Sequence, residues 1–330
     1  MLRGENRADG EGLLFEAKWP REETCIAGVS GGLDSMVLWH ALLEAGYGNV
    51  VAVHVDHGLR GEESKRDAEF VRCEAERLGV RSVVVEVKVE AFAKRQRVSI
   101  ETAARELRYR SFAETAEAIG ARKVFLAHHA DDRVETVMMH LFRGAGSRGL
   151  AGMAEESRRI VCGRELHLVR PLLALPRERL ARYAQENGIE WREDSTNLSD
   201  FALRNRIRHR LLPEIEAVFG RDVRAAVLRA ADLAALDEAW ARESLPEAPR
   251  ASSGNGLAVD ALLPLHAAAR RRLLLAWLRS SGVPDCGLAE VARTEEVLLS
   301  KARPAKASLP GGNVVRRRAG ELFIEPSGTD

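Results

Sequence analysis

Apolar positions in the first half of the chain fall into short runs separated by amphipathic stretches. Residues 24–29 form one such run, Ser30-Gly31-Gly32 follow, and a helical pattern then holds over 33–44 until Gly46. A second buried strand is predicted over 49–55, and a charged helix over 63–78 that stops at Gly79. The alternating, β-branched segment 82–89 predicts a third strand. Ser99 is placed to cap a long helix ending at Gly120. A fourth strand over 123–127 and a helix over 131–142 complete the series. Strands separated by helices imply a mainly parallel sheet with right-handed crossovers, the doubly wound α/β class. No fixed-period repeat is visible.

The texture changes after Gly144. Gly144, Gly146, Gly149 and Gly152 read as a flexible connector. Residues 160–162 and 166–169 flank Gly163-Arg164-Glu165 as a hairpin, and a helix over 176–187 starts on Pro176. An Ala- and Leu-rich helix spans 222–243, and 244–256 is a Pro-, Ser- and Gly-rich loop. Two more helices and a strand pair over 313–318 and 321–325 complete a smaller, mostly helical α+β unit. The expected organisation is a leader over 1–23, a first domain over 24–215, and a second, smaller domain over 216–330.

Composition narrows the class. With 330 residues, 45% hydrophobic and 30% charged, the chain suits a globular protein of two domains rather than a disordered one. No apolar stretch approaches the roughly 18 residues of a membrane span, and the charged first twenty residues lack the apolar core of a targeting peptide. A cytoplasmic location is expected. The four cysteines, Cys25, Cys73, Cys162 and Cys286, include no Cys-x-x-Cys pair, which argues against a zinc ribbon or a locally held cluster. A net charge of +1 does not by itself indicate a nucleic-acid binder, although local basic patches remain compatible with it.

The first candidate chemistry is Ser30-Gly31-Gly32-Leu33-Asp34-Ser35, between strand and helix. Two glycines let the backbone approach an anion, and the helix start supplies free N–H groups and a positive dipole end. No Lys follows the glycines, so it is not a Walker A loop. A carboxylate beside phosphates makes sense mainly with Mg²⁺ between them, which marks Asp34. The bland alternative is an ordinary strand-to-helix turn. With a strand before it and a helix after, the motif resembles the PP-loop of the ATP pyrophosphatase superfamily, of the adenine nucleotide alpha hydrolase-like fold. That likeness implies ATP cleaved between its α and β phosphates, with Ser30 to Ser35 around the nucleotide.

Three segments narrow the resemblance. His54-Val55-Asp56-His57 ends the second strand, where histidines either touch a nucleotide or satisfy backbone groups. Glu101, Arg105 and Arg108 share one helix face, as a surface ion pair would. His128-His129-Ala130-Asp131-Asp132-Arg133-Val134-Glu135 enters a helix, putting Asp132 and Glu135 on one face where two carboxylates suit an ammonium ion; a metal site is the alternative. Together these segments are similar to the tRNA(Ile)-lysidine synthetase family. The likeness continues through Arg170-Pro171-Leu172-Leu173, Trp191-x-Glu193-Asp194-Ser195-Thr196-Asn197 and Arg204-Asn205-Arg206-x-Arg208, and weakens over the last third to Leu309-Pro310-Gly311-Gly312. Arg133 stands where that family usually has Gln.

The resemblance implies adenylation of the wobble cytidine of the isoleucine tRNA with a CAU anticodon, then displacement of AMP by the ε-amine of lysine. It implies ATP contacts from Ser30 to Ser35, His54, His57 and His128, and Mg²⁺ at Asp34 and Asp131. Lysine would be held by Arg108, Asp132 and Glu135, with Asp34, Asp132 and Glu135 as the catalytic set. Arg204, Asn205, Arg206 and Arg208 would contact tRNA, with Arg221, Arg224 and the run Arg270 to Arg272 as further phosphate candidates. Oligomeric state is left open, a homodimer being one option. The competing readings are another PP-loop enzyme, either a tRNA thiolase or an amide-forming synthetase, and an RNA-binding protein whose nucleotide site is structural.

Overall fold

The structure is a computed structural model describing residues 14–193, 203–251, 254–302 and 305–326. The chain divides into two compact units, Met1–Ala235 and Leu236–Asp330.

In the first unit β1 (Cys25–Gly28) leads into α1 (Leu33–Glu44), and β2 (Val50–Asp56) into α2 (Glu62–Leu78). Then come β3 (Ser82–Glu86), α3 (Val89–Gln96), α4 (Ile100–Ile119), β4 (Lys123–Phe125) and α5 (Ala130–Phe142). The short α6 (Ser147–Leu150) precedes the hairpin of β5 (Glu156–Val161) and β6 (Arg164–Val169), followed by α7 (Arg177–Glu186). After that lie α8 (Leu203–Arg206), a π-helical stretch over Ile207–Leu211, α9 (Leu212–Phe219) and α10 (Arg224–Glu243). The sheet order is β3-β2-β1-β4-β6-β5, with every neighbouring pair parallel except β5 with β6.

The strands read as continuous apolar runs because both faces of the sheet are covered. Cys25 and Ala27 join Met36 and Trp39 of α1 and Leu180 of α7 in one layer, while Ile26, Val51 and Val53 join Phe112 of α4 in the other. This is the doubly wound layout that the pattern predicts. Strand order reverses between β1 and β4, since the chain leaves β1 toward β2 and returns on its other side. A crevice opens beyond the carboxyl ends of two strands at such a point, and ligands bind there.

Three local expectations are corrected. The third strand stops at Glu86; the alternation continues because Val87, Val89 and Phe92 pack with Ala103 in a small core of their own. The β5–β6 turn is tighter than read, with Cys162 and Gly163 at φ 50° and 78°, the left-handed pair of a two-residue hairpin. The glycine connector is packed rather than flexible. It carries α6, and Gly152 (φ 69°) sits so close to α5 that a Cβ there would lie 2.9 Å from Val137 Cγ2.

The division between units falls inside α10. On the first-unit side, Ile207, Leu212 and Val223 are buried against Val134 and Met138 of α5. The second unit contains β7 (Leu257–Ala258), α11 (Val259–Leu262), α12 (Ala267–Ser280), α13 (Leu288–Leu299), β8 (Ala305–Leu309), β9 (Asn313–Arg318) and β10 (Glu321–Pro326). Its antiparallel sheet runs β7-β10-β9-β8 over a core of Leu274, Leu278, Leu298, Val315 and Leu322. The terminal strand pair lies where the sequence put it; β7 and β8 were not foreseen.

Candidate active site

The turn from β1 to α1 is tied into a cradle by its own side chains. Ser35 Oγ donates to the Gly32 carbonyl at 2.9 Å and accepts from Ser30 N–H at 3.1 Å. Gly31 takes φ 88°, a conformation a side chain would strain. The N–H groups of Ser35 and Met36 bond to Gly32, so Leu33 and Asp34 begin the helix with the free N–H groups that an anion can meet. The Leu33 side chain itself is buried in the core, so only its backbone is available to a ligand. Among these residues Asp34 alone presents a charged group.

His129, the N-cap residue of α5, gathers the acidic residues. Its ring nitrogens lie 3.6 Å from Asp34, 3.5 Å from Asp131 and 3.4 Å from Asp132. Burial alone would disfavour the imidazolium, but the carboxylates outweigh it and push the pKa up to about 9. Burial likewise works against ionised Asp34, yet His129, Arg177 and Arg208 hold its pKa below the usual range. The bond with His129 does most to lower Asp131. The switch point thus joins the cradle after β1 to the helix after β4 through one imidazolium.

Asp132 and Glu135 share a face of α5, as their spacing predicts, and two arginines meet them. Arg208 Nε donates to Glu135 Oε1 at 2.5 Å, and its Nη2 lies 3.4 Å from Asp132 Oδ1. Arg204 Nε lies 3.3 Å from Glu135 Oε2 without forming a hydrogen bond. Glu135 is fully buried, and burial raises its pKa more than Arg208 lowers it. Ile207, buried against α5, sets this register: Arg204 and Arg208 are four residues apart and turn the same way.

The remaining candidates separate. His54 is buried and its Nδ1 bonds to the Val29 carbonyl at 2.9 Å, so it serves the backbone. His57 Nε2 faces Arg108 Nη2 at 3.4 Å, which brings the β2 end and α4 together. Burial and then Arg108 lower the His57 pKa to about 4. His128 is pushed to about 3 by burial and by Arg170, Arg204, Arg105 and Arg108, and its Nδ1 is buried without a partner. Arg105 lies over the Tyr109 ring, 5.3 Å from its centroid, rather than against Glu101. Of the remaining basic candidates, Arg224 meets Asp131 at 3.5 Å and Arg272 meets Glu238 at 2.7 Å, while Arg270 and Arg271 are tied to Glu295. Arg206 and Arg221 are exposed, and Asn205 is half-buried. Asp194, Ser195, Thr196 and Asn197 lie outside the described residues.

Sequence reading missed two sets of groups. Arg177, at the start of α7, places Nε 3.5 Å from Asp34 and donates its backbone N–H to Asp131 at 2.9 Å. Asp67 accepts from Arg192 at 2.5 Å and Arg60 at 2.7 Å, while Arg192 N–H bonds to the Gly31 carbonyl at 2.9 Å. Neither set has a local motif; both depend on distant segments folding together. Arg133, the departure from the family pattern, is spent on Asp232 at 2.7 Å and on the Ala151 carbonyl at 3.3 Å.

Among the described residues no three His, Cys, Asp or Glu side chains form a ready metal cage. Magnesium needs less, one or two carboxylates with water and phosphate completing its shell. Asp34 Oδ1 is buried without a hydrogen bond, which fits such a ligand.

Comparison with known proteins agrees with this geometry. The PP-loop domain family matches residues 13–215, and the TilS substrate binding domain family matches residues 257–323. A tRNA(Ile)-lysidine synthase from Chromobacterium violaceum is 39% identical over 320 residues, covering 92% of this chain and 68% of that protein. The chain belongs to the tRNA(Ile)-lysidine synthase family. A family member from Bacteroides thetaiotaomicron is 38% identical over 251 residues, 73% of this chain and 55% of its own length. One from Bacillus licheniformis is also 38% identical, over 76% of this chain and 53% of its own length. The chain therefore spans about half the length of these two curated relatives. Among solved structures, the U34-tRNA thiolase NcsA from Methanococcus maripaludis superposes with a TM-score of 0.51 at 16% identity, covering 64% of this chain and 71% of that one. That likeness establishes the fold.

Proposed function

We propose that the crevice between β1 and β4 joins lysine to the 2-position of the wobble cytidine of the CAU-anticodon isoleucine tRNA, using ATP and releasing AMP and pyrophosphate. The observation that carries this reading is the link Asp34–His129–Asp132, which sets an anion cradle beside a two-carboxylate helix. Free N–H groups at the start of α1 hold phosphate oxygens, and Arg177 lies beside Asp34 to meet further negative charge. Asp34, with Asp131, would hold Mg²⁺, which when bound offsets charge on the phosphates. The amine of lysine attacks only when neutral. Asp132 and Glu135 bind the ammonium form, and Glu135, its pKa raised by burial, is suited to take the proton. Arg108, whose Nη2 faces His57 Nε2 at 3.4 Å, offers a fork for the lysine carboxylate. The second unit, matched by the substrate binding family, holds the tRNA. No described helix is long and apolar enough to cross a membrane, and this reading puts the protein in the cytoplasm, where its tRNA is.

A thiolase reading finds less support. Cys25 begins β1, at the end away from the crevice, with its thiol pushed up to about 12 by burial. Cys73 lies on α2, Cys162 in the hairpin turn and Cys286 in the second unit. The test is incubation with ATP, lysine and an unmodified CAU isoleucine tRNA transcript, measuring pyrophosphate and lysine incorporated. Stoichiometric incorporation is expected; pyrophosphate release that ignores lysine, or no turnover, contradicts the proposal.

A further inference from the structure

Basic charge is spread unevenly along this near-neutral chain. Residues 94–110, from the end of α3 through the first half of α4, carry six basic and two acidic side chains, whereas the whole chain has a net charge of +1. A groove of about 270 Å³ runs between α4 and the edge strand β5. Its charged lining among the described residues is Arg105, Glu106 and Arg110 of α4 and Arg159 of β5, three guanidiniums to one carboxylate. That carboxylate is a weak partner: Glu106 lies 3.8 Å from Arg110 Nη2 in an exposed pair, and Arg110 Nε is buried without a hydrogen bond.

The other two arginines have no carboxylate at all. Among the described residues neither the Arg105 nor the Arg159 side chain makes an ion pair or a hydrogen bond. Both lie over the Tyr109 ring instead, 5.3 Å and 4.1 Å from its centroid. Their neighbours on the hairpin are matched: Arg158 meets Glu165 at 3.5 Å, and Arg164 meets Glu117. Two cations on one ring repel each other, and the attraction of the ring uses none of their N–H donors. Each guanidinium therefore keeps a donor edge for a phosphate and a plane on which a base can stack. Arg105 also links the groove to the crevice. Burial does most to lower the pKa of His128 and of Arg108, and the charge of Arg105 lowers both further. A base seated in the crevice has a phosphate on each side, so its strand must leave past one wall.

We propose that the groove between α4 and β5 receives the single-stranded RNA next to the reacting cytidine, with Arg105 and Arg159 on its phosphates. This rests on reading the crevice as the place where the cytidine reacts. The surface lies outside residues 257–323, which the substrate binding family matches. The first unit then holds the RNA beside the base it modifies, and a small groove of this kind takes an extended strand rather than a folded partner.

The test is filter binding of unmodified CAU isoleucine tRNA to the full chain between about 50 and 200 mM salt. Arg159→Gln is expected to weaken binding about fivefold near 100 mM and to flatten the dependence of log affinity on log salt by about 0.7, one single-strand phosphate contact. Arg105→Gln should do the same, and decides alone if Arg159→Gln does not give a native melting transition. Arg159→Lys keeps the charge and should keep the slope. Arg158→Gln, on the opposite face of β5, should bind like wild type. Unchanged slopes in the folded Gln variants at 105 and 159 overturn the inference. So does an Arg158→Gln with the same loss, because the effect is then one of overall charge. An Arg159→Lys that loses the slope also overturns it, because packing on Tyr109 is then responsible. The two levels stay distinguishable: a wild-type protein that binds no tRNA takes down the reading of the crevice as well, whereas one that incorporates lysine while both Gln variants keep the slope removes only the groove.

Discussion

Glu135 in the first unit and Glu295 in the second are both buried and both face two arginines, yet they differ in character. Glu295 Oε1 accepts from Arg270 at 2.9 Å and Oε2 from Arg271 at 2.6 Å. Burial opposes its charge, but those bonds outweigh burial and lower its pKa. Glu135 receives one good bond and keeps one oxygen without any, and burial raises its pKa. The residue types are the same, so local satisfaction decides the outcome. A carboxylate with every lone pair met is structural, whereas one left short of partners in a crevice is available for a substrate.

Substitutions sharpen this contrast. The largest effect is expected at Asp34, which both elements of the crevice share. Asp34→Ala should cut pyrophosphate release by about a thousandfold while tRNA affinity changes little, measured by pyrophosphate assay and filter binding. Next is Glu135→Gln, with lysine incorporation down about a hundredfold. Its stability should hold or rise. A raised folded pKa means that the ionised form costs stability, which is fully present below the unfolded carboxylate value and lost as pH rises through the folded one. Glu295→Gln should do the reverse, losing about 3 kcal/mol in urea unfolding while turnover per folded molecule is unchanged. Its depressed pKa contributes stability above the unfolded value of 4.5 that disappears as pH falls through the folded value. If the two Gln variants behave alike, the contrast fails.

The smallest effect concerns the neutral histidines. His128 and His57, with pKa values near 3 and 4, titrate near 6.5 when unfolded. Their contribution is present above that value and lost as pH falls toward the folded ones. His128→Gln should therefore lose less of its urea midpoint than wild type between pH 6.5 and about 4.

The alternation of strand and helix, and the glycine turn with Asp34, were legible because local sequence encodes them: apolar runs for buried strands, Gly31 for a positive φ, Ser99 for the cap whose hydroxyl accepts from Thr102 N–H at 3.1 Å. The face shared by Asp132 and Glu135 also followed from helix periodicity. The partners of those residues were not legible. Arg177 and Arg208 reach the crevice from segments more than forty residues beyond Asp132, and no spacing rule connects them. The resemblance names Arg204 and Arg208 as tRNA contacts, whereas their approach to Glu135 and Asp132 arises only from the fold. The glycine connector misled for a similar reason: glycine marks close packing as often as freedom, and only the position of Val137 tells which applies.

The most direct measurement is a crystal structure of the protein soaked with α,β-methylene-ATP, Mg²⁺ and lysine after complex formation with the CAU isoleucine tRNA. The account predicts phosphates on the Gly31–Ser35 turn and the lysine ammonium between Asp132 and Glu135. A nucleotide bound elsewhere, or a lysine seated away from α5, would contradict it.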